Sequence, residues 1–246
     1  MTRTRLDVAL VDRGLAPTRA RARDAIARGT VTVDGRVETR PAAPVGPDTP
    51  LAIDDPAARW VSRAALKLVG ALDAFGLSPE GCACLDLGAS TGGFTQVLLA
   101  RGARAVTAVD VGHGQLAEIV AADPRVTSIE GLNARDLARD DLAEPPDFVV
   151  ADVSFISLAL ALPPALELAA PGALGVFLVK PQFEVGREGL GKGGLVRDEA
   201  AAIAAVDRIA ALLVAHGWTV LGRAEAMIAG GDGNREHVLA ARKSTG

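Results

Sequence analysis

The 246-residue chain contains no tyrosine, and aromatic residues make up only 3 % of it. A core built on rings is therefore excluded, and Ala, Val and Leu must supply the buried surface that a chain about half hydrophobic offers. Cysteine is nearly absent: Cys82 and Cys84 sit two apart in an apolar run, where a strand would point both to one face, too close for an ordinary bridge. This excludes a disulfide scaffold and implies a reduced, cytoplasmic interior. The three histidines, His113, His216 and His237, are scattered without ligand spacing, so no metal is expected. Long uncharged runs are missing too. The most apolar stretch, Phe148 to Val179, is interrupted by Asp152, Pro163, Pro164 and Glu167, short of the roughly 18 residues of a membrane helix. No stable membrane association is expected. The N-terminus is Arg-rich without an apolar core, so no signal peptide is expected.

Charge is distributed unevenly. The net charge is −4, yet residues 1–40 hold nine Arg against five Asp or Glu, which leaves the remainder at −8. Such asymmetry points to a basic module that delivers an acidic body to an anionic partner. In that module, Leu6, Ala9, Leu10 and Arg13 fit a short helix ending at Gly14. Thr18 then caps a second helix, with Ala22, Ala25 and Ile26 on its buried side and Arg19, Arg21, Arg23 and Arg28 decorating it for phosphate contact. Val31, Val33 and Val37 alternate around Asp34-Gly35, a hairpin signal, and the Pro-rich run from Pro41 to Pro56 reads as a boundary. The division expected is residues 1–57, a connector 58–62, and a body 63–246.

The body opens with a helix near Ser62 to Phe75, after which strand and helix patterns alternate. Strands are predicted at Ala83–Leu87, Ala105–Asp110, Val126–Ile129, Phe148–Asp152, Ala173–Lys180, Thr219–Ala224 and Val238–Ala241. Helices are predicted at Gly93–Arg101, Ser154–Ala170 and Asp198–His216. This alternation predicts an α/β domain with a mainly parallel sheet covered on both faces, which binds ligands at its C-terminal strand ends.

The first of these strands ends in a turn made by Gly88, Ala89, Ser90, Thr91, Gly92, Gly93 and Phe94. A dinucleotide fingerprint needs glycine where Ser90 stands, and fails. Gly88-Ala-Ser90-Thr-Gly92 also fits a nucleophile elbow, with Asp152 and His237 in hydrolase order, but no oxyanion motif precedes it. A tight turn alone is the bland alternative. A methyl-donor site accounts for more residues. Asp86 can accept from an α-ammonium group, Asp110 with Val111 ends the second strand, where an acid can take both ribose hydroxyls, and Asn133 follows the third strand to face an adenine.

Only four of the 26 basic residues are Lys: Lys67, Lys180, Lys192 and Lys243. An ammonium can lose its proton where a guanidinium effectively cannot, so a retained Lys invites a chemical reading. Lys180 ends an apolar strand, an unusual place for a solvated charge, and an adjacent parallel strand would bring Asp152 to it. Lys192, in a glycine-rich loop, reads as a loop or RNA contact, and Lys243 as solvated.

The segments RLDVALVDRGLAPTRARA, WVSRAALKL, CLDLGASTGGFTQVLL, VDVGHGQL, LNARDL, VVADVSFISL, LVKPQFEVG and GNREH together make the chain similar, over nearly its whole length, to the TlyA haemolysin-like family of ribosomal RNA ribose methyltransferases. The body resembles the FtsJ-type methyltransferase domain, a Rossmann-like class I fold with a seven-stranded sheet. The first module resembles the small α+β RNA-binding domain of a ribosomal protein and of many pseudouridine synthases. The resemblance implies S-adenosylmethionine as methyl donor and ribosomal RNA or ribosomal subunits as partner, with cytidine ribose as acceptor. It implies a catalytic tetrad of Lys67, Asp152, Lys180 and Glu236, donor binding by Asp86, residues 88–94, Asp110, Val111, Asn133 and Asp152, and RNA contacts by Arg5, Arg19, Arg63, Arg135 and Arg187. Lys180 would take the 2′-hydroxyl proton, or stay charged beside Asp152 and stabilise an alkoxide. An RNA-binding protein without catalysis, a membrane-lytic protein and a serine hydrolase are the competing expectations.

Overall fold

The computed structural model describes residues 3–245, the side chain of Arg187 excepted. Two compact units divide the chain, Met1–Arg59 and Trp60–Gly246.

The first unit runs β1 (Thr4–Arg5), α1 (Leu6–Asp12), α2 (Arg19–Ala27), β2 (Val31–Val33), β3 (Arg36–Val37), β4 (Pro44–Val45) and β5 (Leu51–Ile53). The Thr18 hydroxyl accepts from the Arg21 N–H at 3.2 Å, satisfying one of the free donors that open α2. Ala22, Ala25 and Ile26 turn inward, and with Leu6, Leu10 and Val31 they form a small aliphatic core. Asp34 and Gly35 both take positive φ, 49° and 74°, which matches the right-handed twist of the β2–β3 hairpin. The Pro-rich run corrects the expectation of a mere boundary. Its β4 pairs with β1 and its β5 with β2, so it completes the unit.

The second unit begins with α3 (Ala65–Phe75), β6 (Ala83–Leu87), α4 (Gly93–Ala100), β7 (Ala105–Asp110), α5 (Glu118–Ala121), β8 (Val126–Glu130) and β9 (Phe148–Ala151). It continues through α6 (Leu158–Ala161), α7 (Pro163–Leu168), β10 (Leu174–Val179), α8 (Pro181–Glu184), α9 (Glu199–Ala215), β11 (Trp218–Glu225) and β12 (His237–Lys243). The seven strands form one sheet in the order β11-β12-β10-β9-β6-β7-β8. Only β12 runs antiparallel to its neighbours; the other pairings are parallel. Leu85, Leu87, Val149, Ala151, Phe177 and Val179 pack against α6, α7 and α9. The alternate residues Phe148, Val150, Val176 and Leu178 are buried as well, so both faces are covered, as the near-continuous apolar strands require.

One predicted helix is corrected. Ser154–Ala170 is not continuous: residues 152–157 form a loop, α6 occupies four residues, and α7 starts at Pro163 after Leu162. Pro163 and Pro164 lack the N–H that would continue the ladder, and proline is tolerated only in a first turn. The predicted helix near Ser62 likewise begins at Ala65. Among the described residues no helix is long and apolar enough to cross a membrane.

Candidate active site

Strand order reverses between β6 and β9, whose neighbours lead off in opposite directions through the sequence. Parallel sheets open a crevice at the C-terminal ends of strands flanking such a point. Gly88 follows β6 there with φ 79°, and a Cβ on it would stand 2.7 Å from the Asp152 carbonyl oxygen after β9. The missing side chain lets the two strand ends approach. Ser90 also takes positive φ, 46°, and its N–H donates to Asp110 Oδ2 at 2.7 Å, while the Gly112 N–H donates to Asp110 Oδ1 at 2.7 Å. Asp110 thus ties the first turn to the second, each carboxylate oxygen holding one backbone donor.

Asp86 is fully buried within β6. Its Oδ2 accepts from the Thr95 hydroxyl at 2.6 Å, whereas Oδ1 has no hydrogen-bond partner. Burial pushes this carboxyl up to about 7; the Thr95 hydrogen bond opposes the shift and the negative charge of Asp152 adds to it.

Two ion pairs stand beside this turn. Lys67 Nζ lies 2.5 Å from Glu236 Oε2, joining α3 to the residue just before β12. Lys180 Nζ lies 2.6 Å from Asp152 Oδ1, across the adjacent ends of β10 and β9. That second contact is close but not aligned as a hydrogen bond; the aligned acceptor of Lys180 Nζ is Ser154 Oγ at 2.7 Å. All four charged side chains are nearly nine-tenths buried or more. Burial raises the Glu236 carboxyl above its ordinary range, against the opposing charge and hydrogen bond of Lys67.

These groups line two adjoining cavities. One, of about 590 Å³, is lined by Lys67, Lys180, Asp152, Glu236, Arg63 and the 88–94 turn among others. The other, of about 420 Å³, is lined by Asp110, Val111, Asn133, Leu132 and Gln115 among others. Gly88, Ser90, Asp152, Ser154 and Phe155 border both. The expected tetrad therefore gathers in the first cavity and Asp110, Val111 and Asn133 in the second, whereas Asp86 and Gly92 line neither. Ala89 and Thr91 line the first cavity with Phe94, while Gly92 opens α4, where a Cβ would meet Leu116 at 2.7 Å.

The arginines divide. Arg5 and Arg19 converge on the buried Asp7, at 2.9 Å and 3.0 Å, and both stay about half exposed. Arg5 above all holds the Asp7 carboxyl down at about 2, against burial. Arg135 is exposed, 3.6 Å from Asp136. The side chain of Arg187 lies outside the described residues, and its backbone belongs to a short 3₁₀ turn. Arg28 corrects the reading of a decorated helix: only 14 % exposed, it is bonded to Asp24 and Asp55. Arg21 reaches the Ala57 carbonyl at 2.8 Å. Lys243 is not simply solvated, for its Nζ donates to the carbonyls of Glu167 and Ala169. The hydrolase arrangement is absent among the described residues: Ser90 Oγ bonds Gln115, and His237 lines a separate cavity with Ile203 and Arg223.

Sequence reasoning missed Ser154, Glu184 and Phe155. Glu184 accepts from the Ser157 hydroxyl at 2.6 Å and from the Leu158 N–H at 2.8 Å, which braces the loop after β9 to the helix after Lys180. Phe155 is 92 % exposed with φ 65°, its ring 5.3 Å from that of Phe183. The signal for Phe155 was available, since a large ring beside a candidate catalytic acid stands out in a chain so poor in aromatics.

Residues 60–243 match the FtsJ-like methyltransferase family, and residues 4–50 match the S4 domain. The chain is 46 % identical over 244 residues to the 16S/23S rRNA (cytidine-2′-O)-methyltransferase TlyA of Mycobacterium tuberculosis, covering 99 % of this chain and 91 % of that one. It is 38 % identical to Hemolysin A of Brachyspira hyodysenteriae, covering 95 % and 98 %. A solved structure from Streptococcus thermophilus that carries a hemolysin name superposes with a TM-score of 0.77 at 39 % identity, covering 99 % of this chain and 90 % of that one. With an S4 match at its start and a methyltransferase match over the rest, this chain belongs to the FtsJ-like methyltransferases, in their TlyA haemolysin-like branch.

Proposed function

We propose that this protein moves a methyl group from S-adenosylmethionine to the 2′-hydroxyl of a cytidine ribose in ribosomal RNA, in one or both ribosomal subunits, in the cytoplasm. The observation that carries the reading is the pair of buried Lys–carboxylate contacts, Lys180–Asp152 and Lys67–Glu236, set beside the glycine turn. The name of the Mycobacterium relative supports the acceptor and its base.

The residues fit the donor. Asp86 presents an oxygen without a partner and a carboxyl whose charged form burial disfavours, which suits a cationic α-ammonium group. Asp110 is held by two backbone donors and keeps a free lone pair on each oxygen for ribose hydroxyls. Val111 and Asn133 line the same cavity as Asp110 and would hold the donor's base. When bound, S-adenosylmethionine supplies an electrophilic methyl on a sulfonium.

Lys180 takes the proton that the 2′-hydroxyl must lose, and Asp152 stands at 2.6 Å to balance the ammonium so formed. Glu236 holds Lys67, which places a second cation against the oxygen as charge develops on it. Arg63 stands in the wall of the cavity that both lysines line. Arg5, Arg19, Arg135 and Arg187 hold RNA phosphates, with residues 1–57 as the RNA-binding domain, 58–62 as connector and 63–246 as the methyltransferase domain.

The test is transfer of label from S-adenosylmethionine to unmodified ribosomal subunits, beside Lys180→Ala. Label on a ribose 2′-oxygen, reduced by about 10²-fold or more in the variant while donor affinity is retained, is expected. Label on a base, or full activity in Lys180→Ala, overturns the assignment.

A further inference from the structure

Lys180 lines the first cavity with its amine already engaged by protein groups. Its side chain is 10 % exposed, and its amine is engaged on one side by Asp152. Ser154, two residues beyond Asp152, is exposed and borders both cavities, so it stands where donor and acceptor must meet. Its Oγ accepts from Lys180 Nζ at 2.7 Å, the aligned hydrogen bond of that amine. Having accepted there, the serine keeps its own hydrogen, and among the described residues no protein acceptor takes it. The loop is braced separately, by Glu184 on Ser157 and Leu158.

We infer that Ser154 is a catalytic residue, a proton relay between the acceptor 2′-hydroxyl and Lys180; the inference rests on the function proposed above. As the oxygen attacks the methyl, the O2′–H bond breaks and its proton passes to Ser154 Oγ. The serine's own proton passes to the neutral amine of Lys180, whose extra proton has gone to solvent beforehand, so the hydroxyl is regenerated and an ammonium forms. The O2′–C bond forms as the S–C bond of the donor breaks, and the sulfonium's positive charge is carried away by the new ammonium. The relay ends with an ammonium donating to a serine oxygen beside a carboxylate, which is the arrangement seen. The relay also accounts for a buried base serving a bulky substrate: only the small hydroxyl has to reach the ribose.

The test uses the full chain, labelled S-adenosylmethionine and unmodified ribosomal subunits under single-turnover conditions. Ser154→Ala is expected to slow transfer by about 10²-fold or more, the scale of a lost acid–base contribution, while donor affinity by calorimetry stays within about twofold. Ser154→Thr, which restores a hydroxyl, recovers most of the rate. In mixtures of light and heavy water the wild-type rate bows as two moving protons require, and in Ser154→Ala it becomes linear. A Ser154→Ala rate within about twofold of wild type, or a linear wild-type response, removes the relay and leaves Lys180 as a direct base. Loss of donor binding in Ser154→Ala makes the residue structural and overturns the relay as well. Full activity of Lys180→Ala, or no ribose label from the wild type, instead breaks the underlying reading, and the relay falls with it.

Discussion

Lys67 and Glu236 show why the site costs stability. Removing one partner of a buried ion pair leaves the other charge uncompensated, typically at about 3–5 kcal/mol, whereas replacing both with apolar groups is often neutral or stabilising. Lys67→Ala is therefore expected to lower unfolding free energy in urea by about 3 kcal/mol, and Lys67→Met with Glu236→Leu to restore it while the enzyme stays inactive. A double variant as active as wild type would place the pair outside the chemistry. Asp86 carries a pH signature. Its folded value, about 7, lies above the ordinary carboxylate value, so the free chain holds a proton there that the unfolded chain has released. That contribution makes the donor-free protein lose stability as pH rises from about 4 to about 7. A cationic donor group favours the ionised form, so donor binding expels the proton and weakens below about pH 7, by up to about tenfold per unit. Calorimetry in buffers of different ionisation heat should register this release in the wild type and none in Asp86→Asn. A pH-independent wild-type affinity would separate Asp86 from the ammonium group.

Among the elements, α6 and α8 matter most, although each is a single short turn. Short helices have little stability of their own and depend on caps and packing. Glu184, at the end of α8, caps α6 through Leu158 and holds Ser157, so one carboxylate fixes the loops that carry Asp152, Ser154 and Lys180. Glu184→Ala should cost about 1 kcal/mol, the scale of a lost cap, and should lower the rate of transfer more than it lowers donor affinity. An unchanged rate at equal folding would show that the brace is not needed. Strands were legible in the sequence because full burial leaves apolar runs such as Phe148 to Ala151. The break at Leu162 was harder to see, because apolar spacing continues across the Pro163-Pro164 pair and hides the missing N–H.

For the molecule as a whole, charge is the main guide to partner choice. The basic surplus of residues 1–40 is partly spent inside the first unit: Arg28 is locked to Asp24 and Asp55, and Arg13 donates to the carbonyls of Gly46, Pro47 and Thr49. Arg5 and Arg19 remain about half exposed, gathered by Asp7. Arg5→Ala with Arg19→Ala, made in an Asp7→Asn background so that no buried charge is left unpaired, should weaken RNA binding at every sequence and flatten the slope of log affinity against log salt by about 1 to 2. The slope measured across a salt series on ribosomal RNA checks this, and an unchanged slope would assign the RNA contacts elsewhere.

The parallel sheet, the glycine turn and the family could be read from the sequence, because periodicity, φ requirements and motifs are local properties; Lys67 and Glu236 came only with the family resemblance. Lys180 and Asp152 were legible as a pair because each ends an apolar strand and neighbouring parallel strands align their ends. Only the tertiary structure shows that Glu236 meets Lys67, that Asp86 keeps an oxygen without a partner, that Arg28 is structural while Arg5 and Arg19 share Asp7, and that Ser154 borders both cavities. These facts depend on distances between residues remote in sequence, such as Lys67 and Glu236, 169 positions apart, and on burial that no single segment encodes.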